Sequence, residues 1–490
     1  MERSARHLGL VVALALVGGA AAAAPGDDAA WYIIQAQDGT TIGHSAVTVA
    51  PSGAGREIVE DREMRLQEAS HPVAHTIEHN VTRQDAAGRT FWISEHVQNG
   101  PSWARTEARI AMGDEGGRVE IVRQTNSDRH RTEVVLPANV RFDSGGGLLP
   151  NWDPVATPRL EFLNFNLGAM AVERVVIALA PGVPPDPEGG MTILRTRYEG
   201  AELRAVSRLQ LDRQRRVVLI TQPMFGASTS IRPTDRETAL RPHPPYRAIP
   251  NAVLRSPFLI TAETLRGHIR YRFAYNDGIV FTLPETAEQR VSPVADSTDV
   301  VVDICPACGP GLASDPAALA DALRPTAWLQ SDHEMLRAIG EPLRRQNMSG
   351  AQKMALLLER ARPYLYTLDF SGHYSALETM RRRAGDCTEA AVLLAALGRA
   401  AGIPTKVANG LVYSRQRYHG VSNAFMPHSW TLAYVDGAWR SFDLALDTFD
   451  ATHIAITIGD GDARSVQAAG QLAGLLRWAQ MSEVRPRPAS

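Results

Sequence analysis

The chain has 490 residues, of which 44% are hydrophobic and 21% charged, and its formal net charge at pH 7 is -2. That is ordinary globular material, enough for about two to four domains. A balance so close to neutral supplies no global field to recruit nucleic acid or an anionic membrane surface, so partners have to be read from individual sites.

Residues 1–24 have the layout of an export signal, with Arg3 and Arg6 as a basic start, Leu8 to Val17 as an apolar core, and Gly18 to Ala24 as a small-residue cleavage zone. Ala20-Ala21-Ala22 is one match to a cleavage site. An uncleaved anchor needs about 20 apolar residues, so cleavage is the expectation. No later segment stays apolar long enough to span a bilayer. The product is expected in the periplasm or outside the cell, without a transmembrane segment in its mature form.

From Trp31 to about Ile220 the pattern is strand-like, in runs such as Phe91 to Val97, Arg118 to Val122 and Arg216 to Ile220. Turn material at Asp38-Gly39, Gly53-Ala54-Gly55, Gly116-Gly117, Gly145-Gly146-Gly147 and Gly189-Gly190 separates them and predicts hairpins of an antiparallel sheet. The Pro-rich stretch Arg241 to Tyr246 reads as a linker. A β-rich domain is therefore expected over 25–245, with a small β module over 246–311 that contains the strands His268 to Phe273 and Asp299 to Val302.

Cys305 and Cys308 close that module in Cys305-Pro306-Ala307-Cys308 and leave Cys387 as the odd cysteine of three. Zinc would want about four ligands and there is no second such motif, while Gly309-Pro310-Gly311 discourages the helix that a thioredoxin-type pair would open. A local disulfide is the expectation.

From Asp315 onward the period becomes helical, and a third domain is expected over 312–490. Capping-box spacing marks helix starts at Ser349 with Gln352, Ser375 with Glu378, and Asp386 with Glu389. The last opens a helix to Ala401 that Gly402 stops, with Pro404 just beyond; it is apolar on every face from Ala390 to Leu397, which predicts a buried helix. Lys406 to Tyr413, Ser429 to Val435 and Trp439 to Leu444 then read as strands. The whole chain is thus α+β, a large antiparallel β region preceding a mixed domain.

Cys387 falls in the first turn of the buried helix, where free N–H groups and the helix dipole favour a thiolate. Asp386 and Glu389 oppose this with negative charge, so an imidazolium partner is needed. Asp436-Gly437 predicts a two-residue hairpin that pairs Val435 with Ala438. Counting outward puts Trp430 opposite Asp443 and His428 one diagonal step away on the same face, about 7 Å between β-carbons, within reach of an imidazole–carboxylate hydrogen bond. A three-residue loop or a bulge would put the two side chains on opposite faces. Each residue also has an ordinary reading, Cys387 as a small hydrophobe, His428 as a strand histidine and Asp443 as a strand end. His419, His453, Asp447 and Asp450 compete for the roles, with His453 the best alternative base.

Gly385 to Glu389, Leu397 to Pro404, His428-Ser429-Trp430 and Trp439 to Asp443 together resemble the core of the transglutaminase-like superfamily. The resemblance covers about Leu365 to Ile456 and implies a papain-like fold, with Cys387 as nucleophile, His428 as general base and acid, and Asp443 as the residue that orients it. Leu444 stands where family members often carry proline. The implied chemistry is acyl transfer on a protein or peptide substrate, with no metal or organic cofactor. Hydrolysis of peptide or side-chain amides is the first expectation, because nothing in the sequence reveals an amine pocket; protein-glutamine crosslinking is the second. A non-catalytic envelope binding protein on the same scaffold is a third, and the β-rich region is a candidate dock for an envelope partner. The polar run Ser414 to Gly420 could border the cleft.

Overall fold

The computed structural model describes residues 29–67, 73–100, 102–126, 128–143, 145–184, 189–224, 227–246, 254–256, 260–368, 373–415 and 422–485. The expected export signal, His419 and residues 416–420 of the polar run lie outside the described residues. Cα packing divides the chain after Ala248 into two compact units.

In the first unit, the described residues form a sheet of 14 strands in which nearly every strand pairs antiparallel with its sequence neighbour. Ala30–Ala36 lies in the middle of the order, between Thr41–Ser52 and Ala227–Thr234. The runs read as strands fall inside Thr90–Asn99, Gly116–Thr125 and, with its first residue left out, Val217–Met224. The Gly116-Gly117 pair is a correction: it opens a strand, and the turn falls one step earlier at Asp114-Glu115, where both acidic side chains stay solvated. The two ends of the sheet meet, because Arg141 N–H donates to Leu163 O (2.8 Å) and Phe165 N–H to Arg141 O (2.8 Å). An apolar cluster of Ala108, Val119, Ile121, Leu136 and Phe165 seals that junction.

The second unit begins at Ile249. Its first sheet is built from Ile269–Tyr275 (β1), Gln289–Pro293 (β2) and Val300–Ile304 (β3). The helices Glu334–Arg344 (α1), Gly350–Ala361 (α2), Ala376–Arg382 (α3) and Cys387–Ala400 (α4) come next. Then come strands Thr405–Ser414 (β4), Ala424–Val435 (β5), Ala438–Phe442 (β6) and Ile454–Gly459 (β7), helix Ala463–Leu475 (α5) and strand Leu476–Glu483 (β8).

Strand β8 pairs with β1, so the first sheet has the order β2-β3-β1-β8. Strands β1, β2 and β3, expected to belong to a module of their own over 246–311, therefore share a sheet with the C-terminal strand and fall within the second unit. Cys305 and Cys308 are joined as a disulfide. The second sheet centres on β5, which pairs with β4 and β6, while β7 lies on the far side of β4.

Capping boxes are present at Ser349/Gln352, Ser375/Glu378 and Asp386/Glu389, opening α2, α3 and α4. Every residue of α4 is buried, as its all-round apolar pattern requires. Contacts climb α4 and the sheet together: Thr431 Oγ1 donates to Ala391 O (2.9 Å), and Thr405, which pairs with Ala433, donates to Ala395 O (2.8 Å). Traced one turn back, the same run takes the start of α4 toward the Pro427–Ser429 stretch of β5.

Candidate active site

Cys387 is the first residue of α4 and is 2% exposed. Asp386, the cap, accepts from Thr388 N–H (2.7 Å), and Glu389 Oε2 accepts from Asp386 N–H (2.9 Å). Glu389 Oε1 also accepts from Tyr374 N–H (3.0 Å), tying the helix start to the run-in of α3. Burial, and after it the charge of Asp386, pushes the Glu389 carboxyl well above the usual carboxylate range. The negative charge that the sequence sets against a thiolate at Cys387 is correspondingly weaker than expected.

His428 lies on β5, opposite Gly410 of β4. The hairpin from β5 to β6 has the anticipated register, Val435 with Ala438 through Thr431 with Phe442, and Asp436 and Gly437 both take positive φ (53° and 85°), as a type I′ turn requires. Asp443 is the next residue along and falls where the count from the turn predicts. Its Oδ2 stands 2.6 Å from His428 Nε2, with the two side chains 1% and 4% exposed. Trp430, two residues on, stacks on the His428 ring (centroids 6.2 Å, planes 16° apart) and joins Ala408, Leu432, Trp439 and Ala455 in the core of this sheet.

Asp443 has a second imidazole partner, because His453 Nε2 lies 3.0 Å from the same Oδ2. The other carboxylate oxygen accepts from the N–H groups of Ala445 (2.8 Å) and Leu446 (3.0 Å). Burial alone would raise its pKa, but the His428 charge and the hydrogen bonds from both imidazoles outweigh it and hold Asp443 far below the usual range. Burial likewise opposes a charge on His453, yet its bonds to Asp443 and Asp450 raise it to about 9.

The competing residues separate clearly. Asp447 is exposed and pairs with Arg362 Nη1 (2.7 Å), away from the cluster. Asp450 joins it only through His453, by Oδ1 at 3.2 Å from Nδ1. His453 belongs to the cluster, which strand geometry could not reveal, since it precedes β7 and reaches Asp443 from outside the β5–β6 hairpin. The Asp450-Ala451-Thr452 turn just before an apolar strand is the one signal in the sequence that could have found it.

The donor atoms of His428, Asp443 and His453 lie within 4.8 Å of one another. Zinc bonds of about 2.0–2.1 Å in tetrahedral geometry hold donors roughly 3.3 Å apart. Both imidazole nitrogens instead stand at hydrogen-bonding distance from one oxygen, so an ion would have to displace both bonds.

Residues 335–444 match the model of the transglutaminase-like superfamily, a segment that contains Cys387, His428 and Asp443 and ends before Asp450 and His453. No curated protein matches the chain. Among solved structures, a candidate cysteine protease from Cytophaga hutchinsonii is 18% identical, over 44% of this chain and 84% of its own, with a TM-score of 0.27. The periplasmic domain of TgpA from Pseudomonas aeruginosa is 15% identical over 56% of this chain and 70% of its own (TM-score 0.25). A β-barrel-like protein of a domain of unknown function from Brucella abortus is 13% identical over 42% of this chain and 95% of its own (TM-score 0.32).

Proposed function

Because the chain carries a transglutaminase-like domain at residues 335–444, we propose that it is a thiol-dependent acyl-transfer enzyme of papain-like α+β architecture. Cys387 is the nucleophile, His428 the general base and acid, and Asp443 the carboxylate that orients His428. The observation that carries this reading is the buried 2.6 Å bond between His428 Nε2 and Asp443, on the strand along which the Cys387 helix packs.

Nε2 is engaged by Asp443, and Nδ1 is the ring nitrogen that exchanges a proton with the thiol. The Cys387 thiolate attacks the amide carbonyl carbon, and the Cys387 backbone N–H at the helix start stabilises the oxyanion. As the tetrahedral species collapses, the C–N bond breaks and His428 delivers its proton to the leaving amine. A thioester remains, and His428 then takes a proton from water as the oxygen adds, releasing a carboxylate and restoring the thiol. An amine in place of water gives a crosslink by the same steps. Hydrolysis is the first reading, because water needs no dedicated pocket and an amine does.

The substrate is a protein or peptide. The first 24 residues act as a cleaved export signal, which places the enzyme in the periplasm or outside the cell, and the 14-stranded unit docks an envelope partner. Incubation with a denatured protein and a fluorescent primary amine separates the outcomes. New α-amino groups mean peptide hydrolysis, ammonia alone means side-chain deamidation, and ammonia with amine incorporation means crosslinking, all abolished by Cys387→Ala. If none of the three arises, acyl transfer is excluded on these substrates; a pull-down from envelope extract that Cys387→Ala leaves intact then favours a binding protein.

A further inference from the structure

A thiol–imidazole–carboxylate set needs one histidine on the carboxylate, and here there are two. His453 is at most 1% exposed, and both of its ring nitrogens are engaged. It shares the very oxygen of Asp443 that His428 uses, at 3.0 Å against 2.6 Å. Its other ring nitrogen is held by Asp450, whose Oδ1, carbonyl O and backbone N all lie 3.2 Å from Nδ1.

The ring is immobilised from several sides. Trp430 meets it edge-on (5.1 Å, 87°) and Phe449 covers it at 4.9 Å. Asp450 is fixed by Thr452 N–H (2.8 Å), Thr452 Oγ1 accepts from Tyr413 N–H of β4 (3.2 Å), and the Tyr271 hydroxyl of β1 donates to Ala451 O (2.9 Å). Three elements thus converge to place one imidazole behind a carboxylate that already has a partner. The titratable groups facing His453 are Asp443, Asp450 and His428, with Tyr271 behind Asp450.

We propose that His453 is a positioning residue of the site: by donating from Nε2 to Asp443 it fixes the plane of that carboxylate, and through it the orientation and proton affinity of His428. This rests on the acyl-transfer reading above. With Oδ1 taken by two backbone N–H groups and Oδ2 by two imidazoles, Asp443 has no free rotation, and the His428 ring is aimed by a fixed acceptor. A proton on His453 also neutralises part of the Asp443 charge, which makes the His428 imidazolium easier to discharge than in an isolated pair.

The test compares wild type, His453→Gln, His453→Ala and Asp450→Asn by two readouts: the pH profile of Cys387 alkylation by iodoacetamide, and the low-field proton resonance of the His428–Asp443 bond. His453→Ala is expected to slow alkylation about tenfold or more at neutral pH and to displace the resonance. His453→Gln keeps a donor for Asp443 and restores most of the rate, but without the cation its alkaline limb moves up by about one pH unit. Asp450→Asn, which touches neither Asp443 nor His428, moves the limb up as well, by less than His453→Gln, because His453 then loses its proton more easily and shields Asp443 less; it serves if the His453 variants do not fold. Profiles and resonance indifferent to these changes overturn the proposal, as does a His453→Gln no better than His453→Ala with an unshifted limb. If wild-type Cys387 shows no activated thiolate, it is the acyl-transfer reading that fails, while the resonance still reports whether His453 holds Asp443.

Discussion

At the scale of single residues, Asp443 concentrates the most interaction in the least space, with two imidazoles on one oxygen and two backbone N–H groups on the other. Asp443→Asn replaces one acceptor by an NH₂ that cannot satisfy either imidazole donor and favours the wrong tautomer of His428. Thiol-dependent turnover should fall by about 10²–10⁴, measured as initial rate at saturating substrate, with the fold kept as judged by circular dichroism.

The same cluster predicts how stability depends on pH. His453 holds its proton in the fold up to about 9, against about 6.5 in the unfolded chain. Its contribution is fully present below about pH 6.5 and is lost as pH rises through about 9, an effect on the order of 3 kcal/mol. Asp443 works in the opposite sense: its folded value is depressed, so its contribution is present above the unfolded value of about 3.9 and lost as pH falls toward the folded one. Thermal melts from pH 6 to 10 should show a decline in wild type that is blunted in His453→Gln. Equal slopes in the two proteins would refute the shift.

At the scale of elements, the site is a hairpin and a helix start, and both are legible in the sequence. Asp436-Gly437 between two β-rich runs fixes the register that brings His428 to Asp443, and the Asp386/Glu389 spacing marks the residue at which α4 begins. Gly410 is the less visible requirement. It pairs with His428 on one side and Ala455 on the other, and a β-carbon there would meet Ile454 O at 1.9 Å. Gly410→Ala should push β7 away from β4, carry His453 off Asp443, and cost at least about 1–3 kcal/mol in denaturant unfolding, with slower Cys387 alkylation in the protein that remains folded.

What the sequence does not reveal at this scale has a common cause. Strand β8 comes directly after α5, and it pairs with β1 about two hundred residues earlier in the chain, a contact that local periodicity does not encode. His453 has no place in the β5–β6 ladder; its role comes from tertiary approach, with Thr452 and Tyr271 holding the turn from other strands. Local chemistry marks Cys387, His428 and Asp443, whereas the groups that hold His428 and Asp443 in place are written only in the packing.

At the scale of the whole molecule, the 14-stranded unit poses a different question, since its buried face carries charges. Arg62, 2% exposed, bonds Glu60 and Glu78, each at 2.5 Å. Burial is the main cause that raises Glu78 to about 7, the pull of Arg62 notwithstanding, and the charges of Glu95 and Glu60 add to it. For an acid raised in the fold the sign is reversed: stability falls as pH rises from the unfolded value of about 4.5 through about 7. Arg62→Ala leaves these carboxylates without their buried cation and should cost about 3–5 kcal/mol, read as a lowered melting transition that recovers in part at pH 5. No such recovery would mean that the carboxylates are not what the substitution exposes.

The central claim is that Cys387 is a nucleophile activated by His428, and the most direct measurement is intact mass of the non-reduced protein after brief iodoacetamide treatment from about pH 5 to 9, wild type against His428→Ala. The account predicts a single fast adduct on Cys387, formed well below the ordinary thiol pKa of about 8.5 and strongly slowed by the substitution. No adduct, or one whose rate is indifferent to His428, would contradict it.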